Sequence, residues 1–267
     1  MTANVVTITS GKGGVGKTTT TANIAVALAN MGQKVVCIDS DIGLRNLDVV
    51  LGLENRIVYD LVDVVEKRCR IRQAMIRDKR FEDLFLIPAA QTRDKSAISP
   101  TDMIALVDEI KDESDWILID SPAGIERGFR NAIAPASEVI VVTNPDVSAV
   151  RDADRIIGII EAEQKGPAKL ILNRVNSQLI QRGDMINADD VLELLAVKLL
   201  GIVPEDEQVI ISTNIGKPVA LEQKSRAGMA FNNIARRMMG DDISFMDLDH
   251  KGDLIHRLSR IFKSGGN

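Results

Sequence analysis

The octet Gly11-Lys12-Gly13-Gly14-Val15-Gly16-Lys17-Thr18 sets the tightest limit on how this chain can fold. It fits the spacing GxxxxGK[ST], with the apolar run "VVTIT" before it and a helical pattern over 17–30 after it, the context this motif needs. Four glycines let the backbone curl with its N–H groups turned inward, and a helix opening at Lys17 adds the positive end of its dipole. Such a turn is an anion cradle. Lys17 then meets the β- and γ-phosphates of a nucleoside triphosphate, and Thr18 offers its hydroxyl to Mg2+. A dinucleotide-binding turn would leave Lys17 without a task.

The same alternation continues along the chain. Short runs rich in Val, Ile and Leu, "KVVCID" from 34, "LFLIP" from 84, "WILID" from 116, "EVIVVT" from 138, "KLILN" from 169 and "LLGIV" from 199, read as buried strands. Helical patterns lie between them at 100–111, 146–163, 188–196 and 226–238. The predicted fold class is therefore α/β: a mostly parallel β-sheet flanked by helices on both faces, with the loops after the strands gathered along one edge. One domain over 1–240 accounts for this pattern, followed by an acidic spacer, 241–250, and a basic amphipathic tail, 251–267.

Composition narrows the partners. With 33 Lys+Arg against 38 Asp+Glu the net charge is -5, which argues against a nucleic-acid surface over the whole body. Two scattered cysteines, Cys37 and Cys69, cannot ligate a metal cluster, and with no secretory leader the chain is expected in the cytosol. No apolar stretch approaches the ~20 residues that cross a bilayer, so a membrane role would be peripheral.

Further groups suited to phosphate chemistry sit where strands end. Asp120 closes "WILID" and suits a carboxylate behind the Mg2+ shell, acting through water; capping a following helix is its alternative. Gly124, in "DSPAG", can bring a backbone N–H to the γ-phosphate. "IDSDIGLRNLD" offers Asp39, Asp41 and Asp48 past another strand. One carboxylate there can orient a water in line with the γ-phosphate, and Asp41 is the choice. Turn formation by Asp39 and Asp41, and a helix N-terminal charge at Asp48, are the alternatives. Lys12 stands at the outer entrance of the cradle, from which its own γ-phosphate lies back across the nucleotide. Pointing outward, it can serve a nucleotide held by a second, facing subunit, or it can be an unconstrained surface lysine.

"KGGVGKTT" at 12–19 resembles the deviant Walker A motif of the ParA/MinD family of P-loop NTPases, whose signature lysine corresponds to Lys12. "DIGLRNLD", "QTRDK", "DSPAGIE", "TNPDVSAVRDADRI", "RGDM" and "VPED" resemble the division-site-selecting branch of that family over nearly the whole chain. The resemblance implies Mg2+-dependent ATP hydrolysis, slow without an activator, with Asp41, Lys12 and Lys17 as catalytic groups. It implies phosphate contacts from Gly11, Lys12, Gly13, Gly14, Val15, Gly16, Lys17, Thr18, Thr19 and Gly124, and adenine recognition at Asn173, Pro204 and Asp206. An ATP-dependent homodimer is implied, with Lys12 on the partner's phosphates. So are a MinC-like division inhibitor and a MinE-like or other topological regulator. Arg151, Asp152, Asp154 and Arg155, in "SAVRDADRI", are the expected contacts for these partners, an ordinary solvated helix face being the alternative.

A C-terminal membrane-targeting helix is also implied, and the residues support it. Leu254, Ile255, Leu258, Ile261 and Phe262 fall on one helical face, with Lys251, Arg257, Arg260 and Lys263 on its flanks, a pattern suited to an anionic lipid surface. Docking of that helix on the core is the alternative. One short copy binds marginally, and two copies on one dimer raise avidity by ~10²–10⁴. The expectation is a cytoplasmic ATPase bound peripherally to the inner face of the cell membrane in its ATP state, recruiting a division inhibitor that places the division site. A DNA-partition ATPase on the same fold, with basic residues spread over its dimer, and a non-catalytic nucleotide-dependent membrane scaffold are the competing functions.

Overall fold

Runs of β-branched residues that are apolar at every position must be covered on both sides, and the architecture follows from that demand. The computed structural model describes residues 2–94 and 97–247. Its strands are β1 (Asn4–Thr9), β2 (Val35–Asp39), β3 (Ile76–Arg77), β4 (Leu84–Ile87), β5 (Trp116–Asp120), β6 (Glu138–Thr143), β7 (Lys169–Val175) and β8 (Lys198–Pro204). They form one sheet in the order β3-β4-β2-β5-β1-β6-β7-β8. Every pairing is parallel except that of β3 with β4. The two-residue β3 is too short to show a period in sequence.

The helices are α1 (Lys17–Asn30), α2 (Leu47–Leu51), α3 (Leu61–Val65), α4 (Ile71–Ala74), α5 (Pro100–Ile110), α6 (Arg127–Ile133), α7 (Val147–Ala162), α8 (Ser177–Gln181), α9 (Ala188–Leu195), α10 (Glu207–Asn214) and α11 (Arg226–Met238). The longer ones coincide with the helical patterns read from sequence. Five of the remaining six are too short to repeat an amphipathic stripe, and α10, as long as α9, leaves Ile210 and Ile211 exposed and buries only Ser212.

Strand alternation divides the core in two. Val35, Cys37, Leu118, Ile140 and Ile171 face α1 and α11. On the opposite face Val36, Ile38, Ile117 and Ile119 meet α5, while Val139, Val141 and Leu170 meet α6, α7 and α9. Full burial of each such side chain stabilises the fold by ~1.5–3 kcal/mol. Strand β1 lies between β5 and β6, where the winding direction of the sheet reverses and a crevice opens at the strand ends.

Gly240, at φ +99°, reverses the chain after α11. The described part of the acidic spacer runs back along that helix. Arg237 donates to the carbonyls of Leu200 (3.2 Å), Ile243 (2.9 Å) and Ser244 (2.9 Å), and its guanidinium stacks 4.4 Å from the centroid of the Phe245 ring. Arg226 donates to the Asp247 carbonyl. Leu254, Ile255, Leu258, Ile261 and Phe262 lie outside the described residues.

Candidate nucleotide-binding site

The loop between β1 and α1 uses its glycines in two ways. Gly14 and Gly16 take φ of +79° and +95°, the left-handed region that a side chain disfavours. A Cβ added at Gly13 or Gly14 would meet nothing within 4 Å, so space is open over the loop. The other two glycines are pressed from outside. A Cβ at Gly11 would fall 2.2 Å from the Asp152 carbonyl oxygen of α7, and one at Gly16 2.2 Å from Asn173 Nδ2. Asn173, at the end of β7, donates that amide to the Val15 carbonyl at 2.7 Å, and Val15 itself is buried in the core. The cradle is therefore braced by two separate elements and open at its centre.

Charge is concentrated beneath it. Lys17 is buried, with Nζ 3.3 Å from Asp120 Oδ1 and 3.5 Å from Thr18 Oγ1. Thr21, one turn after Lys17, donates its hydroxyl to the same Asp120 oxygen at 3.0 Å. Asp120 is the register partner of Asp39 on β2. Asp39 is fully buried and accepts the backbone N–H groups of Asp41 (3.0 Å), Asn46 (3.2 Å) and Leu47 (3.1 Å). Burial, and then the charge of Asp120, push its pKa up to about 7 against those hydrogen bonds and Lys17. An open cradle with one ammonium, a threonine hydroxyl and a carboxylate at its floor suits a phosphate chain and a hard divalent cation such as magnesium.

Asp41 begins the loop that Asp39 organises. It is 9% exposed, and its carbonyl accepts from Leu44 (3.1 Å) and Arg45 (3.2 Å), closing a tight turn. Gly43 donates to the Ala90 carbonyl past β4 at 2.8 Å. Asp48 sits in α2, its Oδ2 3.1 Å from Arg45 Nε, so its charge is answered within its own segment. Lys12 is exposed and donates to Ser148 Oγ in the first turn of α7 at 3.1 Å. Gly124, at φ +89°, donates its N–H to the Ser10 carbonyl at 3.1 Å, a bond that a phosphate oxygen would have to replace. Thr19 follows Thr18 in α1 and is half-buried.

A groove of about 530 Å³ at the ends of β7 and β8 is lined by Val175, Asn176, Pro204, Asp206, Ser225 and Arg226, among others. Asp206 shapes it rather than projecting a free charge. Its carboxylate caps α10 through Gln208 N (2.9 Å) and binds Ser225 Oγ (2.7 Å) and Ala227 N (3.2 Å); these bonds outweigh burial and lower its pKa. On α7, Arg151, Asp154 and Arg155 are exposed, while Asp152 is half-buried against Gly11. The structure thus gathers Lys17, Thr18, Asp120, Asp41 and the loop glycines at one sheet edge, with Asn173 as a brace. Sequence reasoning overlooked Thr21 and Ser148 and passed over Asp39. The spacing of Thr21 from Lys17, one helical turn, was the available signal for the first; the partnership of Ser148 with Lys12 had none.

Comparison with known proteins agrees with this geometry. Residues 6–219 match the model of the CobQ/CobB/MinD/ParA nucleotide binding domain. The septum site-determining protein MinD of Synechocystis sp. is 54% identical over 263 residues, covering 98% of this chain and 99% of that protein. The MinC:MinD cell division protein complex of Aquifex aeolicus superposes with a TM-score of 0.86 at 47% identity, over 92% of this chain and 99% of that one. MinD of Pyrococcus horikoshii, complexed with Mg-ADP, superposes with a TM-score of 0.80 at 30% identity, over 88% and 96% of the two chains. With its braced phosphate cradle, its paired lysines and these full-length likenesses, the chain belongs to the CobQ/CobB/MinD/ParA nucleotide-binding family, among the MinD septum site-determining proteins.

Proposed function

We propose that the chain is an ATPase that pairs face to face when it binds ATP, gathers at an anionic membrane surface in that state, and recruits a MinC-like division inhibitor there. The observation that carries this reading is the division of labour between the lysines. Lys17 is buried on Asp120, whereas Lys12 is exposed at the loop's mouth and lies on Ser148, away from its own cradle. Exposed Leu44, in the turn after β2, and exposed Val147, the first residue of α7 after β6, add apolar surface for a facing copy.

In this reading the amides of Gly11 to Thr19 and Lys17 hold the phosphates, Asp41 orients the attacking water, and Lys12 of one subunit meets the charge that develops in the other. Magnesium, held by Thr18 and through water by Asp120, supplies neutralisation of phosphate charge when bound. Gly124 exchanges its Ser10 carbonyl for the γ-phosphate, the groove lined by Pro204 and Asp206 takes the adenine, and Asn173, which braces the cradle, meets the adenine from the end of β7. Hydrolysis removes the contact that Lys12 and Gly124 share, the dimer parts, and each single tail leaves the lipid. A MinE-like regulator acting at α7 would hasten that step. Among the described residues no helix is long and apolar enough to cross a membrane.

Sedimentation with anionic liposomes tests this. The full chain should pellet with ATP and stay in the supernatant with ADP, and a chain ending at Gly240 should stay in solution with either. Pelleting that ignores the nucleotide, or that survives removal of the tail, would refute the proposal.

A further inference from the structure

Two short helices carry the two halves of the site, and both are fastened at the end away from it. Helix α2 begins at Leu47, where Asp39 holds the loop bearing Asp41. Helix α10 begins at Glu207, where Asp206 caps it beside the base groove. The two pack against each other, and their C-terminal ends meet at a pair of glycines. Gly52, at φ +69°, and Gly216, at φ +63°, approach so closely that a Cβ on Gly216 would fall 2.6 Å from Gly52 Cα.

Arg80, from the turn between β3 and β4, closes this joint. Its Nη2 donates to the Leu51 carbonyl of α2 at 2.8 Å, and its Nη1 donates to the Gly216 carbonyl past α10 at 3.2 Å. The guanidinium is fixed by a two-point contact with Asp78, Nε to Oδ1 at 2.9 Å and Nη2 to Oδ2 at 2.6 Å. The Asp78 side chain is 0% exposed. A buried carboxylate kept for this purpose is costly unless its partner is held, and the planar fork of arginine is the side chain that satisfies it and two carbonyls together. None of these residues reaches the nucleotide cradle.

We infer that Arg80 is a positioning residue: by tying α2 to α10 it makes occupancy of the base groove felt at the loop that carries Asp41. The inference rests on the ATPase reading of the site. Binding that settles the base-side loop shifts α10, the clasp passes the shift to α2, and the Asp41 loop is ordered before the γ-phosphate is engaged. A coupling of this kind has a typical size of about 5-fold or more in an equilibrium.

ADP separates the clasp from direct contact, because it fills groove and cradle without a γ-phosphate. Hydrogen exchange of the amides at 41–46 should slow by about fivefold or more when ADP binds the wild-type chain. Two variants test the route. R80Q with D78N leaves no buried charge unpaired, and G216A wedges the glycine joint without touching any charge. Both should bind ADP within about threefold of wild type yet lose most of the exchange protection, and ATP turnover should fall in kcat with KM little changed. If either variant binds ADP normally and keeps the protection, or if wild type shows none, the clasp is not a coupling element. Wild type that binds ADP with protection but does not turn over ATP would overturn the ATPase reading instead, leaving the clasp standing.

Discussion

Asp39 and Asp120 are register partners on adjacent parallel strands, and only Asp120 has a lysine on its carboxylate. Lys17 and Thr21 share one oxygen of Asp120, while Asp39 turns its oxygens to three backbone N–H groups of the following loop. Two neighbouring carboxylates are thereby given different work. One belongs to the phosphate floor, the other to the shape of the Asp41 loop.

This placement makes stability depend on pH with a definite sign. The pKa of Asp39 rises from 3.8 to about 7 on folding, so the native state holds a proton that the unfolded chain releases. Its contribution is complete below pH ~4 and is lost as pH rises through ~7, on the order of a few kcal/mol. Urea unfolding of the nucleotide-free chain, compared with D39N from pH 5 to 8, should show wild type losing ground to the variant as pH rises. Parallel curves would mean that Asp39 stays ionised.

Replacing Asp41 by alanine removes the water-orienting group and leaves the cradle intact. Turnover should fall by at least about 10²-fold, with ATP still bound and the dimer long-lived. Loss of ATP binding in D41A would instead place Asp41 in the fold of the loop.

Lys12→Ala should keep most nucleotide affinity, since the amides and Lys17 remain, and should lose the ATP-dependent dimer with at least about 10²-fold of turnover. Light scattering with a slowly hydrolysed ATP analogue is the measurement. A normal dimer from K12A would return Lys12 to an ordinary role on Ser148.

On α7 the two acidic residues should behave differently. D154K alters an exposed charge and should weaken binding of a MinC-like partner by about tenfold with basal turnover unchanged. D152K should change both, because Asp152 packs on Gly11 of the cradle. Titration of each variant against the partner, with turnover measured alongside, distinguishes the two.

I261E places a charge in the apolar stripe of the tail. It should abolish ATP-dependent sedimentation with anionic liposomes and spare the dimer in solution. Retained sedimentation would put the anchor elsewhere.

The anion cradle, the strand–helix alternation and the bounds of α1 and α11 were legible in the sequence, because they depend on spacing and period within a few turns of chain. So was the gathering of Asp41, Asp120 and Asn173 on one edge, which follows from parallel strands joined by right-handed crossovers. Tertiary structure alone decided what each side chain touches. The partnership of Lys12 with Ser148 spans 136 residues, that of Asn173 with Val15 spans 158, and that of Arg80 with Gly216 spans 136. Such contacts depend on strand order and register, which a local period does not encode. The sequence offered Asp39, Asp41 and Asp48 past one strand, with Asp41 the choice, and did not encode what each would touch. Burial then separated them, drawing Asp39 into the backbone of the loop and Asp48 onto Arg45, and leaving Asp41, at the start of that loop, the most exposed of the three.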